Sequence, residues 1–241
     1  MIDSATTLRS IALDKPATIR VFERFHLDYC CGGNRPLAEA CAEKGIAMED
    51  VVAALAEATG RETGEQDFTR ATLTALIQHI VGTHHAYVRS ELPQLKSMAE
   101  RVAEKHGPSH PETAAIQRKL AQLAEELFFH LNKEERILFP YIEGLERCHN
   151  QDAAPPSACF GSVEGPIQAM INEHEGAATL LEEMRAATHG FVPWPEACPT
   201  TVGLYHGLDA FERDLHQHVH LENNLLFPRA IELERAVLAA Q

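Results

Sequence analysis

Residues 130–140 read HLNKEERILFP, and residues 218–228 read HVHLENNLLFP. Both segments contain the pattern His-x-x-x-Glu and end in Leu-Phe-Pro. Residues four apart on an α-helix lie on the same face, one turn from each other. Each segment is therefore predicted to present an imidazole beside a carboxylate, from His130 with Glu134 and from His218 with Glu222.

A further histidine precedes each segment at nearly the same distance, so the chain has two halves of matching layout. Two carboxylates buried without partners are costly, and beside four imidazoles they are best stabilised by cations. Imidazole and carboxylate ligands without a thiolate suit iron or manganese. We predict a centre of two metal ions with the ligands His85, His130, Glu134, His174, His218 and Glu222.

The alternative is that these histidines are ordinary core residues, which is the usual reading of a single histidine on an apolar helical face. Here each of four predicted helices carries one, and two helices add a glutamate one turn later. A glutamate can bridge two cations, so each ion would bind two histidines, two carboxylate oxygens and a solvent-derived oxo or hydroxo bridge. One position of six would stay open for a diatomic molecule. The order His-x-x-x-Glu differs from the Glu-x-x-His of ferritin-like di-iron bundles.

Apolar residues recur at helical spacing from residue 68 onward, and no strand pattern interrupts them. The pattern predicts four amphipathic helices, one from about residue 68 to the break at Gly107 and three others over about residues 112–146, 165–188 and 200–238. Pro140 is expected to end or bend the second of them, because proline lacks the N–H that a helix interior needs. The predicted fold is all-α, a four-helix bundle.

Residues 1–59 are predicted to form a separate small helical domain with a glycine-rich turn at residues 28–34, DYCCGGN. The segment 60–67, GRETGEQD, is polar and lacks periodicity, and we interpret it as a linker. The bundle domain then covers residues 68–241. Because the linker offers no packing pattern, we expect the two domains to move relative to each other.

The chain has 21 Lys+Arg against 35 Asp+Glu, a formal net charge of −14. This balance argues against a nucleic-acid-binding surface. No apolar run approaches the roughly 20 residues needed to span a bilayer, and no secretory signal is readable at the N-terminus. The expected location is the cytoplasm, where the six cysteines would be thiols.

Residues 68–241 resemble the hemerythrin-like domain, and the whole chain resembles the di-iron "repair of iron centres" family. The motifs that carry the resemblance are DYCCGG at residues 28–33, HIVGTHH at 79–85 leading to ELP at 91–93, the two His-x-x-x-Glu segments, and EHE at 173–175. The resemblance implies a cytoplasmic protein with two non-haem irons that acts under nitrosative or oxidative stress. It also implies repair of damaged iron-sulfur proteins and reaction with nitric oxide as a small ligand. No nucleic-acid or membrane partner is implied, and a homodimer is left open.

His84 and His85 are adjacent and cannot both face the interior of a bundle. We select His85, because its spacing matches the second half and the family pattern agrees. His216 and His220 are interpreted as surface residues beside His218.

Two acidic residues lie close in sequence to the predicted ligands. Glu126 precedes His130 by one turn, and Glu173 is next to His174. Either could orient an imidazole or guide cations inward. The alternative is that they are solvated acids on a charged face.

Cys30 and Cys31 form a pair that suggests redox activity or metal transfer, a reading that the resemblance supports. The alternative is that two small residues fill a turn. A helix N-terminus near Pro36 is expected to lower a thiol pKa in this pair.

Three functions are open at this stage: an iron-donating repair protein, an enzyme that reduces nitric oxide, and a sink or sensor that binds nitric oxide or dioxygen. We count four histidine ligands and not the five of hemerythrin, so more coordination positions are free. This favours reactivity or iron lability over reversible oxygen carriage.

Overall fold

The computed structural model describes residues 3–59, 68–151, 154, 156–157 and 160–239. Across these ranges the chain is helical, and its only extended pairing is an isolated bridge between Thr7 and Pro36. The predicted all-α class is confirmed. The predicted linker, residues 60–67, lies outside the described residues. Within the described part of the chain, no helix combines the length and apolar character needed to cross a bilayer.

Residues 3–59, the described N-terminal part, form four short helices and one 3₁₀ turn. The helices are α1 Leu8–Asp14, α2 Ile19–Arg24, α3 Leu37–Lys44 and α4 Met48–Thr59, with the 3₁₀ turn at Pro16–Thr18. The Thr7 side chain accepts a hydrogen bond from the Ser10 N–H and caps α1. Gly45 ends α3 with φ of 66°, a conformation that glycine adopts without strain. The four helices enclose their own apolar core around Phe22, Leu37 and Leu55.

The described residues from 68 onward form the predicted four-helix bundle, and three of its helices contain a π-helical turn. The first runs through α5 Leu73–His79, a π turn at Ile80–His85 and α6 Ala86–His106. The second runs through α7 Glu112–Lys133, a π turn at Glu134–Leu138 and α8 Phe139–Gln151. The third is α9 Glu164–Ala187. The fourth runs through α10 Pro199–Leu221, a π turn at Glu222–Leu226 and α11 Phe227–Ala239.

Pro140 does not end the second helix, because α8 continues to Gln151, and the irregular turn lies just before the proline. Just before the proline, the Phe139 N–H donates to the Glu134 carbonyl, five residues back. This wider turn relieves the clash that a proline ring causes in an α-helix. The repeat has the same device, since the Phe227 N–H donates to the Glu222 carbonyl ahead of Pro228.

The four central histidines lie between two apolar layers of the bundle. One layer contains Leu92, Leu120, Leu181 and Leu208. The other contains Leu76, Ile142, Ile167, Leu226 and Phe227. Each predicted ligand histidine has residues of the first layer on one side of it in sequence and residues of the second on the other. The fold thus places the polar centre between two apolar parts of the core.

The N-terminal domain packs on the bundle through specific contacts. The Asn224 side-chain amide donates to the Tyr29 carbonyl at 3.1 Å, and Arg9 donates to the Asn224 carbonyl at 3.0 Å. Nδ1 of His216 lies 3.1 Å from a carboxylate oxygen of Glu23. These contacts join residues that are far apart in sequence, so the sequence pattern does not predict them, and the relative movement of the two domains stays a prediction.

Candidate metal centre

The six predicted ligands are all buried and converge at the middle of the bundle. Their ligand atoms form two groups, and within each group all atoms lie within 4.8 Å of one another. The first group, here the His85/His218 position, comprises His85, Glu134, His218 and Glu222. The second, the His130/His174 position, comprises His130, Glu134, His174 and Glu222. The two glutamates belong to both groups.

Each glutamate presents one oxygen to each position. Oε2 of Glu134 lies 3.4 Å from Nε2 of His85, and Oε1 lies 3.4 Å from Nε2 of His130. Oε1 of Glu222 lies 3.0 Å from Nε2 of His218, and Oε2 lies 3.1 Å from Nε2 of His174. This is the arrangement required of carboxylates that bridge two cations.

The imidazole pairs also fit cations. Nε2 of His85 and Nε2 of His218 are 3.1 Å apart, and the corresponding atoms of His130 and His174 are 3.0 Å apart. Two nitrogens bound at right angles to one ion, with bonds of about 2.1 Å, would be about 3 Å apart. Among the described residues, neither buried oxygen of Glu134 accepts a hydrogen bond. Buried, unsatisfied acceptors beside converging imidazoles favour a bound cation.

The two buried carboxylates, Glu134 and Glu222, favour positive charge at the centre. Burial lowers the pKa of His85, but Glu134 and Glu222 outweigh it and raise the value to about 10. Burial also lowers the pKa of His130, but Glu134 outweighs this effect and raises the value to about 9. Burial favours the neutral form of Glu222, yet His218 and the other imidazoles hold its pKa well below the usual range. Metal cations can supply this positive charge in place of protons, and the imidazoles that bind them are neutral.

Three of the four imidazoles make a hydrogen bond through Nδ1, the ring nitrogen that does not face the predicted metal position. His85 donates to Glu135 at 2.7 Å, His130 donates to Glu173 at 2.9 Å, and His174 donates to Asn223 at 2.9 Å. Histidines that bind metals typically have such partners, which fix the ring orientation.

The sequence prediction named Glu173 but missed Glu135 and Asn223. A signal for both was present, because they occupy the same place in the repeat, directly after the two predicted glutamate ligands.

Glu126 does not contact an imidazole in the described structure. It is exposed and accepts a hydrogen bond from Gln122 at 2.9 Å. It does line a surface cavity of about 380 Å³ together with His130, Lys133 and Glu173. Two carboxylates therefore flank an opening that reaches one of the predicted ligands.

The interpretation of His220 as a surface residue is wrong, since only 3% of it is exposed. The Tyr29 ring of the N-terminal domain covers it, with ring centroids 5.3 Å apart. His216 is half-buried beside Glu23 of the same domain. His84 is buried as well, because it faces α10 while His85 faces the bundle interior. The N-terminal domain thus covers His216 and His220, whereas α10 of the bundle itself covers His84.

Cys30 and Cys31 are free thiols whose sulfurs lie 3.9 Å apart. The expectation of a lowered thiol pKa is wrong for Cys30, whose pKa is raised by its hydrogen bond with Cys31, by burial and by Asp28. Cys30 packs within an apolar layer of the bundle. The two sulfurs and an Asp28 oxygen form a group within 4.8 Å, separate from the two groups of the bundle.

Comparison with known proteins agrees with this architecture. The profile of the hemerythrin HHE cation-binding domain matches residues 76–230, and that of a domain of unknown function, DUF542, matches residues 4–59. The chain belongs to the hemerythrin HHE family. It is 36% identical to the iron-sulfur cluster repair protein YtfE of Escherichia coli O157:H7, over 93% of this chain and 96% of that protein. YtfE of Citrobacter koseri is 35% identical and YtfE of Shigella boydii serotype 4 is 36% identical, with the same coverage. The family resemblance is confirmed.

Proposed function

We propose that this protein helps to repair iron-sulfur clusters damaged by nitrosative or oxidative stress, and that it does so in the cytoplasm by supplying iron. The observation that carries the proposal is the pair of four-ligand groups that share Glu134 and Glu222. The repair function of relatives that match 93% of the chain supports it. The group that this site fits is a pair of iron ions per chain.

The roles of the chain's own residues follow from the geometry. The four imidazoles would hold the ions through Nε2, and the two glutamates bring their negative charges to the same buried site. Nδ1 donors and their acceptors keep three of the rings in position. Bound iron would supply redox chemistry and open coordination positions for nitric oxide.

Release of iron requires a route out of a buried site. The cavity lined by Glu126, His130 and Glu173 supplies one, and its carboxylates attract cations. Lys133 pairs with Glu173 at the same opening and offsets part of this charge. We propose that iron leaves and enters on this side, next to the His130/His174 position.

Reaction with nitric oxide is the second part of the proposal. Two imidazole nitrogens and two carboxylate oxygens are available at each position, which leaves room for a small ligand on an ion that takes six. This count also supports the alternative functions, a nitric oxide reductase or scavenger and a sensor of nitric oxide or dioxygen.

For Cys30 and Cys31 we propose a role in transfer or redox change that follows metal binding. Their group is separate from the bundle groups, so the bundle ligands are complete without them. The double variant Cys30→Ala/Cys31→Ala should retain wild-type iron content and lose repair. Loss of iron from this variant would show that the thiols belong to the metal centre.

The decisive experiment compares two assays on the same anaerobic, iron-loaded protein. One measures reactivation of a hydratase whose [4Fe-4S] cluster was damaged by nitric oxide, and the other measures consumption of nitric oxide. Reactivation with transfer of radioactive iron supports repair, whereas turnover of nitric oxide without iron transfer supports the reductase.

Variants connect either activity to the centre. His218→Ala and Glu134→Ala should lower iron content and abolish repair together. His206→Ala is the matched control, because His206 lies exposed on the same helix as His218. Full iron retention in both ligand variants would overturn the ligand assignment.

A further inference from the structure

Among the described residues, the ring of His218 lacks the hydrogen-bond partner at Nδ1 that the other three imidazoles have. Its Nδ1 is buried and has no hydrogen-bond partner in the part of the chain that the structure describes. One helical turn earlier on α10 lies Asp214, whose Oδ2 is also buried and also lacks a partner among the described residues. A buried donor and a buried acceptor that are both unsatisfied, four residues apart on one helix, are suited to each other.

His84 holds this aspartate in place. Nδ1 of His84 lies 3.0 Å from Oδ1 of Asp214 and donates to it. The His84 ring is also parallel to the His218 ring, with an interplanar angle of 6° and centroids 5.6 Å apart. His84 therefore contacts both members of the unsatisfied pair, and its own side chain is 5% exposed. This accounts for a buried histidine that the ligand set does not use.

We propose that Asp214, held by His84, is the positioning residue for His218: its Oδ2 accepts the Nδ1–H of His218 when Nε2 of His218 binds a metal ion. The inference rests on the ligand set proposed above. The hydrogen bond fixes the tautomer and the orientation of the ring, as Glu135, Glu173 and Asn223 do for the other three.

The assignment makes the two metal positions chemically unequal. Two carboxylates, Glu135 and Asp214, then accept the Nδ1 hydrogen bonds of the imidazoles at the His85/His218 position. At the His130/His174 position the corresponding acceptors are one carboxylate, Glu173, and one neutral amide, Asn223. A carboxylate acceptor makes an imidazole a stronger ligand than an amide does. The His85/His218 position therefore retains its ion more firmly, and the ion beside the surface cavity is the one that leaves first.

The test uses the full-length protein and Co²⁺ as the probe, titrated anaerobically and followed by its visible absorption. We expect the wild-type protein to bind two ions in two steps, the tighter at the His85/His218 position. Asp214→Asn should weaken the tighter step by about 10- to 100-fold and leave the weaker step unchanged. Glu173→Gln should do the reverse. Asp209→Asn is the matched control, an aspartate on the same helix that pairs with Arg185 and Arg213.

A separate variant isolates the part of His84. His84→Phe keeps a flat ring against His218 but removes the donor to Asp214, so it should weaken the same step as Asp214→Asn and by a smaller factor. The unfolding midpoint of metal-free His84→Phe should be the same as that of the metal-free control Asp209→Asn.

The outcomes are distinguishable. Wild-type cobalt affinities in Asp214→Asn would overturn the inference, and so would equal weakening of both steps together with a lowered metal-free midpoint. A wild-type protein that binds fewer than two cobalt ions would instead overturn the proposed ligand set.

Discussion

Asn224 is one of the residues through which the N-terminal domain docks on the bundle, and its replacement by leucine tests that docking. The residue is 7% exposed. Its side-chain amide donates to the Tyr29 carbonyl at 3.1 Å and to Nδ1 of His220 at 2.9 Å. Leucine has nearly the same volume, so packing is retained. The Tyr29 carbonyl and the His220 nitrogen, however, would both lose their donor while they stay buried.

The magnitude follows from these two unsatisfied acceptors. A buried polar group without its partner costs about 1 to 3 kcal/mol. Two of them give roughly 2 to 6 kcal/mol against the docked state. Even the lower bound would raise the population of the undocked state about 30-fold. Arg9→Ala is the milder companion, since it removes one donor to the Asn224 carbonyl and should cost about 1 kcal/mol.

Two readouts separate undocking from unfolding. Hydrogen exchange of residues 8–59 reports the N-terminal domain, and it should speed up about 30-fold or more in Asn224→Leu. Trp194, the single tryptophan, stacks on His110 with ring centroids 3.7 Å apart, so its fluorescence reports the opposite end of the bundle. The midpoint of urea unfolding followed by this fluorescence should stay at the wild-type value. Unchanged exchange in residues 8–59, or an equal loss in both readouts, would refute the reasoning.

Three further predictions concern other parts of the chain. A protein that starts at residue 67 should keep the far-UV circular dichroism of the bundle, which would support two domains, whereas collapse of the helical signal would contradict them. Glu234→Ala should lower the free energy of unfolding by roughly 3 kcal/mol, measured in urea, because this buried carboxylate accepts from Tyr141, Ser162 and the Val163 N–H; a change below 1 kcal/mol would disagree. Hydrogen bonds from Thr201, above all, lower the pKa of Cys198 to about 6. The rate of alkylation of Cys198 by iodoacetamide, followed by mass spectrometry, should therefore rise with pH with a midpoint near 6, and Thr201→Val should move that midpoint upward; an unmoved midpoint would exclude Thr201 as the cause.

The sequence alone determined the bundle and the residues that meet inside it. Helical periodicity is a local property, so the repeat of His-x-x-x-Glu was enough to place His130 beside Glu134 and His218 beside Glu222. The matching upstream histidines then identified His85 and His174 as their companions, and the structure brings all six together. Glu135 and Asn223 were readable from the same repeat, because they directly follow the two glutamates.

Other features depend on which surfaces pack together, and only the tertiary structure decided them. His220 looks exposed on its own helix, yet Tyr29 covers it from another domain. The Cys30 thiol was expected to be acidified by a helix terminus, but its hydrogen bond with Cys31, burial and the nearby Asp28 raise its pKa. Asp214 and His84 lie 130 residues apart in the chain and meet only because α10 packs on the first helix of the bundle. Spacing along one helix predicts what shares a face, whereas burial, charge and hydrogen-bond partners depend on the element that covers that face.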